Sequence, residues 1–258
     1  MKKTLVLLLL FVFVQIVSTS VALLLANVSN LANGGALDEA LLLNHPQYAI
    51  YALFVGYILL FMVLYYFKLC RREAFVRRIK LSRREIALGL LGFFLLIGGS
   101  SFLSELLQLS DGGSTQMFSA VKGNFIALLL LCVVGPVMEE VIFREGILRS
   151  LLESHMNPMW ALFISAALFA VVHGNLAQML PALILGVVLG LFYLRTGNVW
   201  FCSLAHVLNN TAGIISLYSM DATDLATPTS PYVLIAGVAA MYLLGVVVLK
   251  RWWAMRHL

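Results

Sequence analysis

Two adjacent carboxylates, Glu139 and Glu140, sit inside the apolar run from Phe125 to Leu152, with Arg144 four residues beyond Glu140. An ionised side chain costs roughly 2.5–3.5 kcal/mol near the centre of a membrane helix on insertion scales. A cluster of this kind therefore calls for a paired, protein-buried or water-lined setting. On a helix the i, i+4 relation puts Arg144 one turn from Glu140 on the same face, while Glu139 lies about 100° around the axis. The guanidinium can hold Glu140 ionised and oriented. Glu139 is then the less compensated carboxylate and the better general base.

Two more polar pairs share the i, i+4 spacing in later apolar runs, Phe169 with His173 and His206 with Asn210, and Asn209 points elsewhere. An intramembrane His or Asn is ordinarily a hydrogen-bonding residue between helices. A double carboxylate is costly glue, however, and three such pairs in one chain favour chemistry. On one helix face, His206 and Asn210 can hydrogen-bond a developing oxyanion, or the imidazole can ligate a metal. Glu139, His173 and His206 would form a His₂Glu set with one position left for water, as catalytic zinc requires. No HExxH motif is present, and a metal-independent glutamate mechanism uses the same residues. Glu139 and Glu140 share a depth with His173 only if the helix that carries them continues past Phe143 to near Glu153.

The elements that position these residues are membrane spans. The chain has 258 residues, 62% hydrophobic and 11% charged, whereas about a quarter of residues are charged in soluble domains. Runs of about 20 apolar residues fall at Leu5–Ala26, Gln47–Phe67, Ile86–Leu109, Gly123–Phe143, Pro158–His173, Gln178–Leu194, Val199–Tyr218 and Pro231–Leu249, the fifth and sixth short. The expected fold class is all-α: a polytopic membrane bundle of about eight helices forming one domain over 1–258. Chain breakers at Asp111-Gly112-Gly113-Ser114, Asn157-Pro158, Thr196-Gly197-Asn198 and Thr227-Pro228-Thr229-Ser230-Pro231 separate later runs. Pro136 frees a carbonyl in the turn before Glu139.

With both termini cytoplasmic, every Lys and Arg except Lys122 falls inside, and the external loops carry Asp38, Glu39, Asp111, Asp221 and Asp224. The first run resembles a signal peptide, but its length and the span count favour an uncleaved helix. The net charge of +5 comes largely from one loop, so it reports topology and lipid contact, not nucleic-acid binding. In that loop, Lys68 to Glu85, apolar residues interleave with basic ones in a pattern that suits an interfacial helix against anionic lipids, although a topology signal with no further role is the favoured reading. Cys70, Cys132 and Cys202 lack the spacing of a disulfide framework or thiolate zinc site.

Glu139-Glu140-Val141-Ile142-Phe143-Arg144, followed by Gly146, resembles the EExxxR motif of the CPBP family, the CAAX prenyl endopeptidases and bacteriocin-processing enzymes also called Abi. Phe169 to His173 resembles its FxxxH motif and His206 to Asn210 its HxxxN motif, over a core of roughly residues 85 to 220. Glu145 is a small departure, since many members place the glycine directly after the arginine. The resemblance implies an intramembrane endopeptidase in which Glu139, with His173, activates water, Arg144 positions Glu140, and His206 and Asn210 stabilise the oxyanion. It implies a membrane-bound protein or peptide substrate, lipidated or bacteriocin-like, and suits a bacterial inner membrane. The alternatives are a small proton- or ion-coupled transporter, against which stands the lack of an inverted repeat, and a catalytically silent immunity or scaffold protein.

The basic asymmetry predicts that both termini and the 68–85 loop face the cytoplasm. A cysteine at position 75 should resist membrane-impermeant reagents added from outside intact cells; external labelling there overturns the topology.

Overall fold

The computed structural model describes residues 2–38, 47–110, 112–120, 122–219 and 230–255. Expectations resting on Glu39, Asp111, Asp221, Asp224, Arg256 and Thr227-Pro228-Thr229 lie outside those residues. The described residues contain helices and no strand. The main helices are α1 (Lys2–Ala32), α2 (Gln47–Tyr66), α3 (Arg83–Leu106), α4 (Phe125–Glu153), α5 (Pro158–Val171), α6 (Leu176–Thr196), α7 (Val199–Ser219) and α8 (Pro231–Ala254).

Six of these, all but α5 and α7, are long and apolar enough to cross a membrane, and the chain is an integral membrane protein. The two exceptions fall short for different reasons. α5 has 14 residues and spans about 21 Å, less than a hydrocarbon core of about 30 Å. α7 has 21 residues, but Ser203, His206, Asn209, Asn210 and Thr211 interrupt its apolar surface. The expected bundle is therefore present, with the two elements least able to span by themselves carrying the His173 and His206 motifs. Large apolar side chains on α1 and α8, among them Leu9, Phe13, Leu24, Leu243 and Leu244, are exposed, as lipid-facing surfaces require.

Small residues set the close approaches. α3 and α8 run antiparallel, with Gly92 against Leu249 and Gly245 against Leu96, so the backbones come near enough for extensive van der Waals contact. α5 and α6 pack in the same way through Gly186 against Ala166 and Gly190 against Leu162. α4 lies in the middle, in contact with α1, α2, α5, α6 and α7. It extends well past Phe143, as a shared depth for its carboxylates and His173 demands.

The interfacial helix, the less favoured reading of the loop between α2 and α3, does not form. Only Glu73–Val76 is helical, and the rest of the loop is pinned in a non-helical course from outside. Trp200 Nε1 donates to Phe75 O at 2.9 Å, Asn198 Nδ2 to Arg77 O at 2.6 Å, and Arg71 N to Glu145 Oε1 at 2.8 Å.

Gly245→Ala would place its Cβ 2.7 Å from Leu96 Cδ2 and 3.2 Å from Leu96 N, where the backbone cannot yield cheaply. The expected cost is about 1–3 kcal/mol of overpacking. Gly213→Ala meets nothing within 4 Å and gains helix propensity of up to about 1 kcal/mol. Thermal unfolding in detergent should show a lower Tm for the first variant and an unchanged or higher Tm for the second. Equal Tm values remove the proposed close contact.

Candidate active site

Glu139 and Glu140 stand midway along α4, about 20 Å from either end at 1.5 Å per residue. The helix is irregular on both sides of them. A π-helical segment at Leu130–Val134 precedes the α-helical Gly135–Glu140, and a second π segment follows at Val141–Leu148. Such bulges frequently accompany functional sites. In the first, Gly135 N donates to Leu130 O. The next bond in that register would reach Leu131 O from residue 136, which is proline and has no N–H. Asn210 Nδ2 on α7 supplies the missing donor at 3.1 Å. In the second segment, Ser165 Oγ on α5 donates to Phe143 O at 2.8 Å.

This backbone sends the two carboxylates to different environments. Glu140 and Arg144 are fully buried. Arg144 Nε donates to Glu140 Oε2 at 2.8 Å, with Nη2 3.4 Å from Oε1. Glu140 Oε1 also lies 3.0 Å from His206 Nδ1. The Arg144 guanidinium stands 5.0 Å over the Phe169 ring, and that ring meets His173 and His206 edge-on at 4.8 and 5.8 Å. Phe169 thus joins α4, α5 and α7.

The Glu139 side chain retains 19% exposure, with Oε2 3.8 Å from His206 Nε2. It lines a cavity of ≈ 540 Å³ together with His173, His206 and Asn210, which reaches Thr115, Phe118 and Leu217 beside the C-terminal end of α7. His173 Nδ1 lies 2.8 Å from Phe169 O. A proton on that nitrogen caps a carbonyl in the last turn of α5 and leaves Nε2 to the cavity.

The six residues singled out from the sequence therefore fall into two groups. Glu139, His173, His206 and Asn210 line the cavity, while Glu140 and Arg144 form a pair behind it. One expectation changes. Asn209 does not point elsewhere: it lines the cavity and donates from Nδ2 to Asn210 Oδ1 at 3.2 Å. Glu139, His173 and His206, the ligand set that a zinc-dependent reaction would use, are not gathered as metal ligands among the described residues, and the glutamate mechanism uses the same side chains. The two imidazoles are turned by separate partners, Glu140 and Phe169 O, and both pack against Phe169.

Sequence reasoning missed several members of the site. Gln15 on α1 donates to the Tyr57 hydroxyl on α2 at 3.1 Å, and both residues line the cavity. Glu145, noted above only as a departure from the motif, is fully buried. It is held by the Tyr193 hydroxyl, by Arg71 N at 2.8 Å and by Arg149 Nε at 3.1 Å. Only the Arg149 partner, at i+4, had a signal in the sequence.

Residues 121–212, which contain all three motifs, match the family described as type II CAAX prenyl endopeptidase Rce1-like. That match covers 92 of the 258 residues. The family resemblance drawn from the motifs holds over this stretch, inside the 85–220 core. A Bacillus subtilis (strain 168) protein named "Putative membrane peptidase YdiL" is 30% identical over 106 residues, 41% of this chain and 43% of that protein. A second from the same organism, "Uncharacterized protein YyaK", is 26% identical over 141 residues, 51% of this chain and 47% of that protein. The chain thus spans less than half the length of either relative. Both are bacterial, in keeping with a bacterial inner membrane. No solved structure matches the chain significantly.

Glu140→Gln should unfold the protein more readily, because it leaves the Arg144 guanidinium buried without its counter-charge, a loss of about 3–5 kcal/mol. Glu140→Gln combined with Arg144→Met should regain part of that. Denaturation in mixed micelles reads both. A single variant as stable as the parent shows that the pair does not hold α4 in place.

Proposed function

We propose that the chain is an intramembrane endopeptidase, similar to CAAX proteases, that hydrolyses a peptide bond in a membrane-associated protein or peptide. The observation that carries this reading is the contrast within one pair: Glu139 faces a cavity midway along α4, while Glu140 is locked behind it by Arg144 and His206. The Rce1-like match over the same residues and the relative named as a membrane peptidase support it.

In this reading Glu139 takes a proton from a water in the cavity, and the oxygen attacks the carbonyl carbon of the scissile bond. His173, through Nε2, orients that water. The negative charge on the carbonyl oxygen is met by His206, when Nε2 carries a proton, and by the second N–H of Asn210 Nδ2, the first being held by Leu131 O. Glu139 then returns the proton to the departing amine as the C–N bond breaks. Donors fixed before reaction, in a site poor in water, act at low reorganisation cost; removing one such donor typically costs about 10²–10³-fold in kcat. Glu140 touches no reacting atom and acts through His206, as Arg144 acts through Glu140. The substrate is a segment able to reach this depth, such as a lipid-modified or bacteriocin-like peptide.

Glu139→Gln keeps the side chain's size and removes the base. Purified protein assayed on a panel of quenched apolar and lipidated peptides should lose about 10²–10⁴-fold in turnover, with the Tm unchanged. Wild-type turnover in this variant places the chemistry elsewhere. A folded, stable but inactive Glu140→Gln beside an active Glu139→Gln reverses the two roles.

A further inference from the structure

Away from the catalytic cavity, a recess of ≈ 620 Å³ opens between the loop after Glu73–Val76, the start of α3, and the C-terminal ends of α6 and α8. Arg77, Arg78, Lys80 and Arg195 line it, with Glu85 as its one carboxylate. Glu85 is engaged, since it pairs with Arg195 and closes the capping box of α3 with Ser82. Among the described residues Arg77, Arg78 and Lys80 form no ion pair. Of the four cations around the recess, Arg195 is thus the one paired with a carboxylate, and the single charge of Glu85 leaves the lining strongly positive.

The recess is also held open by the fold. Asn198 Nδ2 fixes Arg77 O, Trp200 Nε1 fixes Phe75 O, and the Arg77 guanidinium lies against Gly197. That glycine, at φ +59, caps α6, and a Cβ there would come within 2.5 Å of Arg77 Nη1. Arg195 lies 4.2 Å over the Trp252 ring and donates to Trp252 O, so the floor joins α3, α6 and α8. Arg77, Arg78 and Lys80 belong to the loop that the positive-inside rule puts at the cytoplasmic face, between two helices long and apolar enough to cross a membrane.

We propose that this recess binds a phosphate group, drawn either from an anionic phospholipid or from free phosphate, and that the bound anion ties the loop to α3, α6 and α8. Arginine forks suit phosphate oxygens and lysine adds a point charge. The site is separate from the peptidase chemistry and does not depend on that reading.

The test uses full-length protein in neutral detergent at about 0.15 M salt, where charges more than about 8 Å away are screened. Binding of phosphatidylglycerol, diacylglycerol and inorganic phosphate is measured by native mass spectrometry and thermal shift. Phosphatidylglycerol should bind and raise the Tm, and diacylglycerol, which lacks the phosphate, should not. Arg77→Gln with Arg78→Gln and Lys80→Gln should weaken binding about 100-fold, and Lys80→Gln alone about fivefold. Arg72→Gln with Arg83→Gln and Arg84→Gln, neutral changes of the same number outside the recess, should weaken it less than about tenfold. Competition by inorganic phosphate identifies free phosphate as the source; binding of the lipid without such competition identifies the headgroup. Equal losses in the two triple variants, equal binding of diacylglycerol, or no binding of either phosphate source overturns the proposal.

Discussion

The ion pair of Glu140 and Arg144, fully buried midway along α4, is the constraint around which the site is arranged. Two charges removed from water gain from each other only when the geometry is good and their remaining hydrogen-bonding capacity is met. Arg144 Nε meets Glu140 Oε2 directly, but its second contact is long, and Arg144 Nη1 is buried with no partner. The shortfall is made up from other helices. His206 on α7 takes Glu140 Oε1, and Phe169 on α5 offers its ring face to the guanidinium. α5 and α7 are thus held to α4 by the charge they help to stabilise, although neither meets the length and apolarity of a spanning helix.

The same constraint bears on Glu139. Neighbouring residues on a regular helix diverge by about 100°, enough to set one carboxylate against protein and the other against the cavity. The π segments on either side expose backbone carbonyls that a regular helix would keep to itself, and Asn210 and Ser165 from the two short or polar helices satisfy them. Pro136, the bulge and Asn210 therefore form one device. In the proposed mechanism, the amide that holds the backbone of α4 also presents its remaining N–H toward the place where an oxyanion would form.

Much of this was legible in the sequence, for identifiable reasons. Apolar runs are large one-dimensional signals, so the helices emerged with their order correct and most ends off by a few residues, α4 running ten residues past the end of its apolar run at Phe143. The i, i+4 geometry of Glu140 and Arg144 depends only on local helix structure, and the pair forms at 2.8 Å. The illegible part depends on contacts across the chain. Nothing local tells that Leu131 O would be claimed by Asn210, that Tyr193 and the Arg71 backbone would meet Glu145, or that Gln15 would reach Tyr57. The interfacial helix that the pattern between α2 and α3 allowed is absent for the same reason. Its amphipathic pattern was real, but Asn198, Trp200 and Glu145 supplied stronger partners for the backbone.

The hydrolysis proposed above would require water beside Glu139 in a chain that crosses a bilayer, and the shortness of α5 bears on that requirement. A 14-residue helix cannot cross the hydrocarbon layer, so the turn after it, with Gly174 at φ +75, leaves backbone groups at a depth where lipid cannot satisfy them. Protein covers part of the deficit: Asn175 Oδ1 accepts from Gln178 N at 2.9 Å, and Ser110 O accepts from Ala177 N at 3.4 Å. His173 and Gln178 on either side of the turn line the cavity itself. An irregular backbone at membrane depth is tolerated where it lines a water-filled space. The feature that makes α5 a poor span thus gives the proposed enzyme a polar wall along which water can reach Glu139.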